Sequence, residues 1–389
     1  MRHTFRCYPR ARQRRFLGKT FGCVRFVYNR ALQYRNDRYS RDKASTSYGQ
    51  LSAAVTTWKK EPDCRWLNEV SCVPLQQTLR HLQSAFRGFF EKRTAFPRFK
   101  SRHGDQAAEF TRSAFTWDGK QNNLRLAKMG HLRIHWSRQF ASIPSTVTIT
   151  KNRAGQYFAT LCLEESVEAL PLTGQSVGID LGINRLATLS NGEFLPNPRH
   201  LERRLGKMRR LQRCLSRRTK GSARWRRQRL KVARLHARIA NGRKDHLDKL
   251  TTSLIRRFDV LCLEDLDIKA MLGKSALARP ILDVGMGTFR RMLTYKCRWY
   301  GKELQLVDRY FPSTKKCSEC GGVAETMPLN VREWRCHHCG AFHDRDLNAA
   351  KNIMAAGHAV LVRGGPVRPE ATEVARGKAR RSAPQPALP

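Results

Sequence analysis

Apolar positions recur at helical spacing near the start of the chain. In residues 11–40, Phe16, Val24, Val27 and Ala31 alternate with stretches threaded by arginine, which predicts a helix. A short strand, TFRCY at 4–8, precedes it and ends at Pro9. Residues 74–93 place Leu75, Leu79, Leu82 and Phe86 on one stripe, the pattern of a helix packed on a core. Near residue 95 the period shortens. AEFTRSAFTWDG, NNLRLAKMG and HLRIHWS read as short strands with turns, and STVTITKNRAGQYFATLCLE reads as a hairpin turning at Asn152–Gly155. The strand at 4–8 is expected to join this small β-domain, which makes the helical stretch an insertion.

A second unit opens with SVGIDLGINRLATLSNGEF, read as three strands joined by two turns. Residues 198–257 read as mostly helical. FDVLCLEDLDI at 258–268 is an apolar strand ending in acids, GTFRRMLTYKCRWYGKEL at 287–304 a helix, LQLVD a strand and DLNAAKNIMAAGHA a helix. From about 362 the tail is rich in Pro, Ala and Arg, and it is expected to be disordered. The result is a multidomain α/β chain without internal repeats.

Charge narrows the class of partner. The formal net charge is +44, far more than solubility requires. It is concentrated: residues 201–238 contain 16 Lys or Arg and one acid, Glu202. Such a block repels itself unless a polyanion lies beside it, so it is expected to contact nucleic acid through phosphates, which supply affinity and position rather than sequence choice. No apolar run approaches the length of a membrane span, and the N-terminus lacks the apolar segment of a secretory signal. Of twelve cysteines, eight are scattered, several in apolar contexts, as expected of buried thiols in a reducing cytoplasm.

The other four are paired. Cys317-x2-Cys320 is followed, after fifteen residues, by Cys336-x2-Cys339. Two thiolates from each pair complete a tetrahedral zinc site with no position open to substrate, so the metal is read as structural. His337 and His338 are spare by ligand count.

Three separated acids stand at element ends. Asp180 ends an apolar strand and is followed by Leu181-Gly182, where glycine permits a tight turn or a close approach; Glu264 closes another strand; Asp346 lies where the last helix begins. Together they are a ligand set for two magnesium ions about 4 Å apart, which would serve phosphodiester hydrolysis. Four neighbours rank below them. Asp265 and Asp267 point away from Glu264 if the strand continues. Asp344 has Arg345 as a ready partner, and Asn348 suits either a ligand or the local backbone.

These acids, with a four-cysteine ribbon between the second and third, resemble the TnpB/OrfB family of insertion-sequence-encoded RNA-guided nucleases, which is similar to compact type V CRISPR effectors. The resemblance is carried by GIDLGINRLATLSNG (178–192), CLEDLDI (262–268), CSEC…CHHC (317–339) and HDRDLNAAKNI (343–353). YFPSTKKCSECG departs mildly, since relatives tend to carry more serine before the first cysteine.

The resemblance implies a RuvC-like, RNase H-type nuclease domain in two parts, 173–314 (with a basic helical insert at 198–257) and 343–361, separated by a zinc ribbon at 315–342. It implies a β-barrel-like wedge at 1–10 and 95–172, interrupted by a helical recognition insert at 11–94. Asp180, Glu264 and Asp346 match the catalytic acids, Asp346 being preferred to Asp344 because a single residue separates it from the Asn-Ala-Ala segment at 348–350. Guide RNA from the element's end and target double-stranded DNA beside a short motif are the implied partners, in a cytoplasmic, nucleoid-associated setting without a membrane. The motifs carry no signal for oligomeric state. Two other readings stay open: a nuclease-silent RNA-guided DNA-binding regulator, and a strand-transferring transposase.

Overall fold

The structure, a computed structural model, describes residues 1–362 except 120, 141, 274 and 329. The expected disordered tail, apart from its first residue, lies outside the described residues. The chain divides into two compact units, residues 1–167 with 201–242, and residues 168–200 with those from 243 onward.

In the first unit, β1 (Arg2–Cys7) leads into α1 (Ala11–Asp42), α2 (Tyr48–Trp58) and α3 (Cys72–Phe90). The strands β2 (Gln106–Thr111), β3 (Phe115–Asp118), β4 (Asn123–Leu126), β5 (Gly130–His131), β6 (Ile134–His135), β7 (Thr146–Lys151) and β8 (Tyr157–Cys162) follow. They form an antiparallel sheet in the order β2-β7-β8-β1-β6 and a smaller one, β3-β4-β5. β1 pairs along its whole length with β8, and the helices lie between the two strands in the chain. The β7–β8 hairpin turns where expected: Gly155 adopts a φ of +74°, and its N–H donates to the Asn152 carbonyl. The helical stripes are buried with the strands in one core, which includes Val24, Val27, Leu75, Leu79 and Phe110.

The basic helices α4 (Leu205–Ser216) and α5 (Ala223–Arg257) follow. Residues 201–242 group with the N-terminal part in the first unit. Met208, Leu235 and Ile239 make a small core of their own, and Leu230 packs beside the Gly155 turn.

The second unit is built on a mixed sheet. β9 (Ser176–Leu181), β10 (Ala187–Leu189) and β11 (Phe194–Leu195) run antiparallel in succession, as expected. β12 (Val260–Glu264) adds in parallel on the other side of β9. The helices α6 (Ile268–Gly273), α7 (Ser275–Val284) and α8 (Met286–Tyr300) lead to β13 (Glu303–Val307), parallel to β12. β14 (Glu333–Arg335) and β15 (Phe342–Asp344) form a small ribbon, and α9 (Arg345–Val362) is the last described element. Val177, Ile179, Leu261 and Leu263 share a core with Phe289 and Leu293 of α8.

None of the twelve cysteines forms a disulfide. Of the scattered eight, Cys7, Cys23, Cys64, Cys262 and Cys297 are buried, while Cys72 and Cys214 are exposed. Among the described residues no helix is long and apolar enough to cross a membrane.

Candidate metal centres

Asp180 and Glu264 stand on neighbouring parallel strands in matched register, since Ile179 lies opposite Leu263. Which face they occupy follows from two glycines. A Cβ on Gly178 would lie 2.0 Å from the Ala350 carbonyl oxygen, and a Cβ on Gly357 would lie 2.3 Å from Cys262 Sγ. Gly178 and Cys262 therefore face α9. Side chains two residues apart share a face of a strand, so Asp180 and Glu264 also lie on the α9 side. From Ala350 back to Asp346 the helix retreats about 6 Å, and from Gly178 to Asp180 the strand advances about 6.7 Å. The two steps match, which brings Asp346, in the first turn of α9, alongside Asp180.

Electrostatics agree with this geometry. Burial, reinforced by the charges of Asp346 and then Glu264, pushes the Asp180 carboxyl up to about 8, with Arg345 acting in the opposite direction. Burial also pushes Glu264 above the usual carboxylate range. Crowded, half-desolvated carboxylates of one sign fit a cation. The ribbon supplies one from the protein itself: Arg332 Nη1 lies 3.5 Å from Asp346 Oδ1.

The neighbouring acids have other occupations. β12 stops at Glu264, so strand alternation does not extend to the next two acids. Asp265 pairs with Arg290 and Arg309. Asp267 pairs with Arg309 and accepts from the Ala270 N–H at the start of α6. Asp344 accepts from the Leu347 N–H and caps α9, while the Arg345 guanidinium donates to the Pro328 and Val331 carbonyls.

The four paired cysteines converge. Their sulfurs all lie within 4.8 Å of one another. Cys317 and Cys339 sulfurs are 3.7 Å apart, as are those of Cys320 and Cys336. A tetrahedron with zinc–sulfur bonds of about 2.3 Å has sulfurs about 3.8 Å apart, so the set fits zinc. Each pair sits in the same turn. The Gly321 N–H returns to the Cys317 carbonyl and the Gly340 N–H to the Cys336 carbonyl, with φ of +78° and +74° at the glycines. His337 and His338 are exposed and outside the cluster.

The thiolate cluster is tied to the helix that carries Asp346. Asn348, fully buried, accepts from the Ser318 N–H and donates to the Lys316 carbonyl; Asn352 donates to the Ser313 and Lys316 carbonyls. His343 Nε2 lies 3.0 Å from Cys317 Sγ. Asn352, His343 and Arg332 were not among the residues singled out from sequence. Their partners lie across the ribbon, and their spacing carries no signal of it.

Comparison with known proteins covers most of the described chain. Three family models match: one described as "Probable transposase" at residues 160–275, one as "Cas12f1-like, TNB domain" at 287–353, and one as "Helix-turn-helix domain" at 1–44. A Streptomyces pristinaespiralis protein named "Putative RNA-guided DNA endonuclease" is 49% identical over 370 residues, covering 94% of this chain and 91% of that one. The chain belongs to the TnpB/OrfB family. The family relative InsQ of Escherichia coli K12 is 34% identical, covering 96% of this chain and 98% of its own length. Among solved structures, a Cas12f1–sgRNA–target DNA complex matches in fold, with a TM-score of 0.55 at 13% identity over 87% of this chain and 81% of that one. In this TnpB/OrfB chain the residues matched as helix-turn-helix form β1 and one continuous helix, α1.

Proposed function

We propose that this protein is an RNA-guided, magnesium-dependent DNA endonuclease encoded by an insertion sequence. The observation that carries the reading is the meeting of three acids from β9, β12 and α9 on one face, in a chain whose full-length relatives bear the endonuclease name. The mixed sheet with two parallel strands ending in acids supports a RuvC-like, RNase H-type nuclease domain. The five- and three-stranded sheets around one core support a β-barrel-like wedge.

In this reading Asp180 and Glu264 present carboxylate oxygens from rigid strand ends, and Asp346 presents its own from a helix start. Bound magnesium would activate a water for attack on the phosphodiester and stabilise charge on the leaving oxygen. Arg345 holds positive charge beside Asp180, and Arg332 holds Asp346. The cysteine cluster holds structural zinc and braces α9 through Asn348 and Asn352. Guide RNA supplies base pairing to the target DNA, and the basic helices α4 and α5 hold the nucleic-acid backbone.

The test is purification of the full chain with its bound RNA, sequencing of that RNA, and incubation of matched DNA with magnesium. Wild type is expected to cut beside a short motif, and Asp180→Ala to bind without cutting. No copurified RNA and no guided cleavage across varied flanking motifs would sink the reading. Binding without cleavage by wild type would point to a silent regulator.

A further inference from the structure

The first unit contains a basic cavity of about 750 Å³ that none of the sites above uses. α1 contributes Gly18, Gly22 and Arg25 to its wall. The segment before β2 and the end of β7 contribute Arg102 and Lys151, and the α4–α5 connection and first turns of α5 contribute Lys220, Arg226 and Arg229. No acid lines it. Among the described residues none of these six cations has a carboxylate within 4.0 Å. Six unpaired cations around one concavity repel one another and lack the counter-charge that a polyanion would bring.

Two further features of the wall narrow the ligand. Trp225 lines the cavity half-buried, with the Arg229 guanidinium 5.0 Å from its ring centroid. Gly18 and Gly22 lie one turn apart in the interior of a 32-residue helix, and Arg25 continues their stripe. A helix-interior glycine is destabilising by about 1 kcal/mol relative to alanine. A Cβ at either position would meet nothing within 4 Å, so close packing in the chain itself does not require them. They leave a bare strip of helix backbone facing the cations. A second cavity, of about 1120 Å³, shares Arg102, Lys151 and Arg229 and continues along α5 to Ala240; one acid, Asp105, lines it. From Trp225 to Ala240 the helix spans about 22 Å, the length of about half a dozen stacked nucleotides of one strand.

We propose that this trough binds an unpaired segment of nucleic acid, with a base stacked on Trp225, phosphates on the six cations and the sugar–phosphate chain against Gly18 and Gly22. A ring set into a concave wall is reached by a splayed base and not by one inside a duplex. The inference deepens the reading above and rests on it for the presence of a nucleic-acid partner. Guide RNA and displaced DNA share the required chemistry.

Full-length protein is titrated with an unstructured oligouridylate and the matching oligodeoxythymidylate. Trp225→Ala is expected to weaken binding about 5- to 150-fold, with Trp225→Phe restoring most of it. Arg226→Ala with Arg229→Ala should reduce the slope of log affinity against log salt by about 1.4. Gly22→Leu should melt no lower than wild type, because its Cβ has open space, yet bind at least tenfold more weakly. Ultraviolet cross-linking of the RNA-loaded protein with target DNA, read by the mass of the nucleotide on the Trp225 peptide, assigns the segment to RNA or DNA. The proposal is overturned if folded Trp225→Ala and Gly22→Leu proteins bind both oligonucleotides as wild type does, or if wild type binds neither. Guided cleavage by wild type alongside normal binding by these variants would remove only the trough assignment. Trp225-dependent binding without copurified RNA or cleavage would remove the endonuclease reading and leave the trough.

Discussion

Gly178→Ala tests the contact that brings the three acids together. The added Cβ would lie 2.0 Å from the Ala350 carbonyl oxygen, 2.7 Å from the Met354 nitrogen and 2.9 Å from Met354 Cβ. Comfortable heavy-atom contacts lie near 3.5 Å, so α9 must retreat from β9 by more than about 1 Å. Two of the three obstructing atoms are backbone, and no rotamer change removes them. The helix cannot tilt freely either: it is pressed on Cys262 at Gly357 and tied to the cysteine ribbon at Asn348 and Asn352. Overpacking of this kind belongs at the top of its usual range, about 3 kcal/mol or more. For a unit of this size that lowers the melting temperature by about 6–12 °C. The same retreat carries Asp346 away from Asp180, and a displacement of about 1 Å can reduce catalysis about 100-fold. Thermal unfolding and single-turnover DNA cleavage measure the two effects. Gly357→Ala is the control, because its obstruction is the Cys262 side chain and Cys262→Ala should relieve part of the damage. If Gly178→Ala melts within about 2 °C of wild type and cuts at the wild-type rate, the packing of α9 on β9 does not set the acid cluster.

Zinc analysis should find one ion per chain, and Cys336→Ser should lose the ion together with DNA cleavage. Retained cleavage without zinc would refute the bracing role of the ribbon. Asn348→Ala leaves the Ser318 N–H and Lys316 carbonyl without their partner, a loss of about 1–3 kcal/mol in unfolding experiments, and it should slow cleavage while zinc content stays at one; wild-type cleavage would count against the tether. Asp180 is an acid whose folded pKa, about 8, lies above its unfolded value of 3.8. The folded state therefore binds the proton more tightly, and without magnesium stability should fall as pH rises from about 4 to about 8. Asp180→Asn should flatten that slope and abolish the stabilisation by magnesium at pH 8; an unchanged pH profile would refute the crowding. Arg332→Ala breaks an exposed pair, so melting should shift by less than about 0.5 kcal/mol equivalent, while the magnesium dependence of cleavage moves to lower concentration. An unchanged dependence would show that Arg332 does not compete for Asp346.

The parts of this molecule that sequence made legible are those whose partners lie nearby along the chain. The four thiolates come from two tetrapeptides, so spacing alone predicted a cluster that the structure brings within 4.8 Å. The helical stripes and the Asn152–Gly155 hairpin were equally local. The acids could be named one by one, because each stands at the end or the start of an element, but no periodicity predicted that the elements would bring them together. That depends on Gly178, whose significance is invisible beside its own neighbours: it lies in Ala350 and Met354, on an element that reaches β9 only after the sheet is complete. Gly182, the glycine that drew notice, serves its own turn, where its N–H donates to the Leu186 carbonyl. Asn348 illustrates the same limit. Its sequence context offered a ligand or the local backbone as partners, and its actual partners are the backbone of Lys316 and Ser318 in the first cysteine turn. Ribbon and last acid are therefore mechanically coupled: Asn348 and Asn352 anchor α9 to the first cysteine turn, and a metal held by all four thiolates would have no position open to the phosphodiester. A closed metal site can in this way control the position of a carboxylate it never touches.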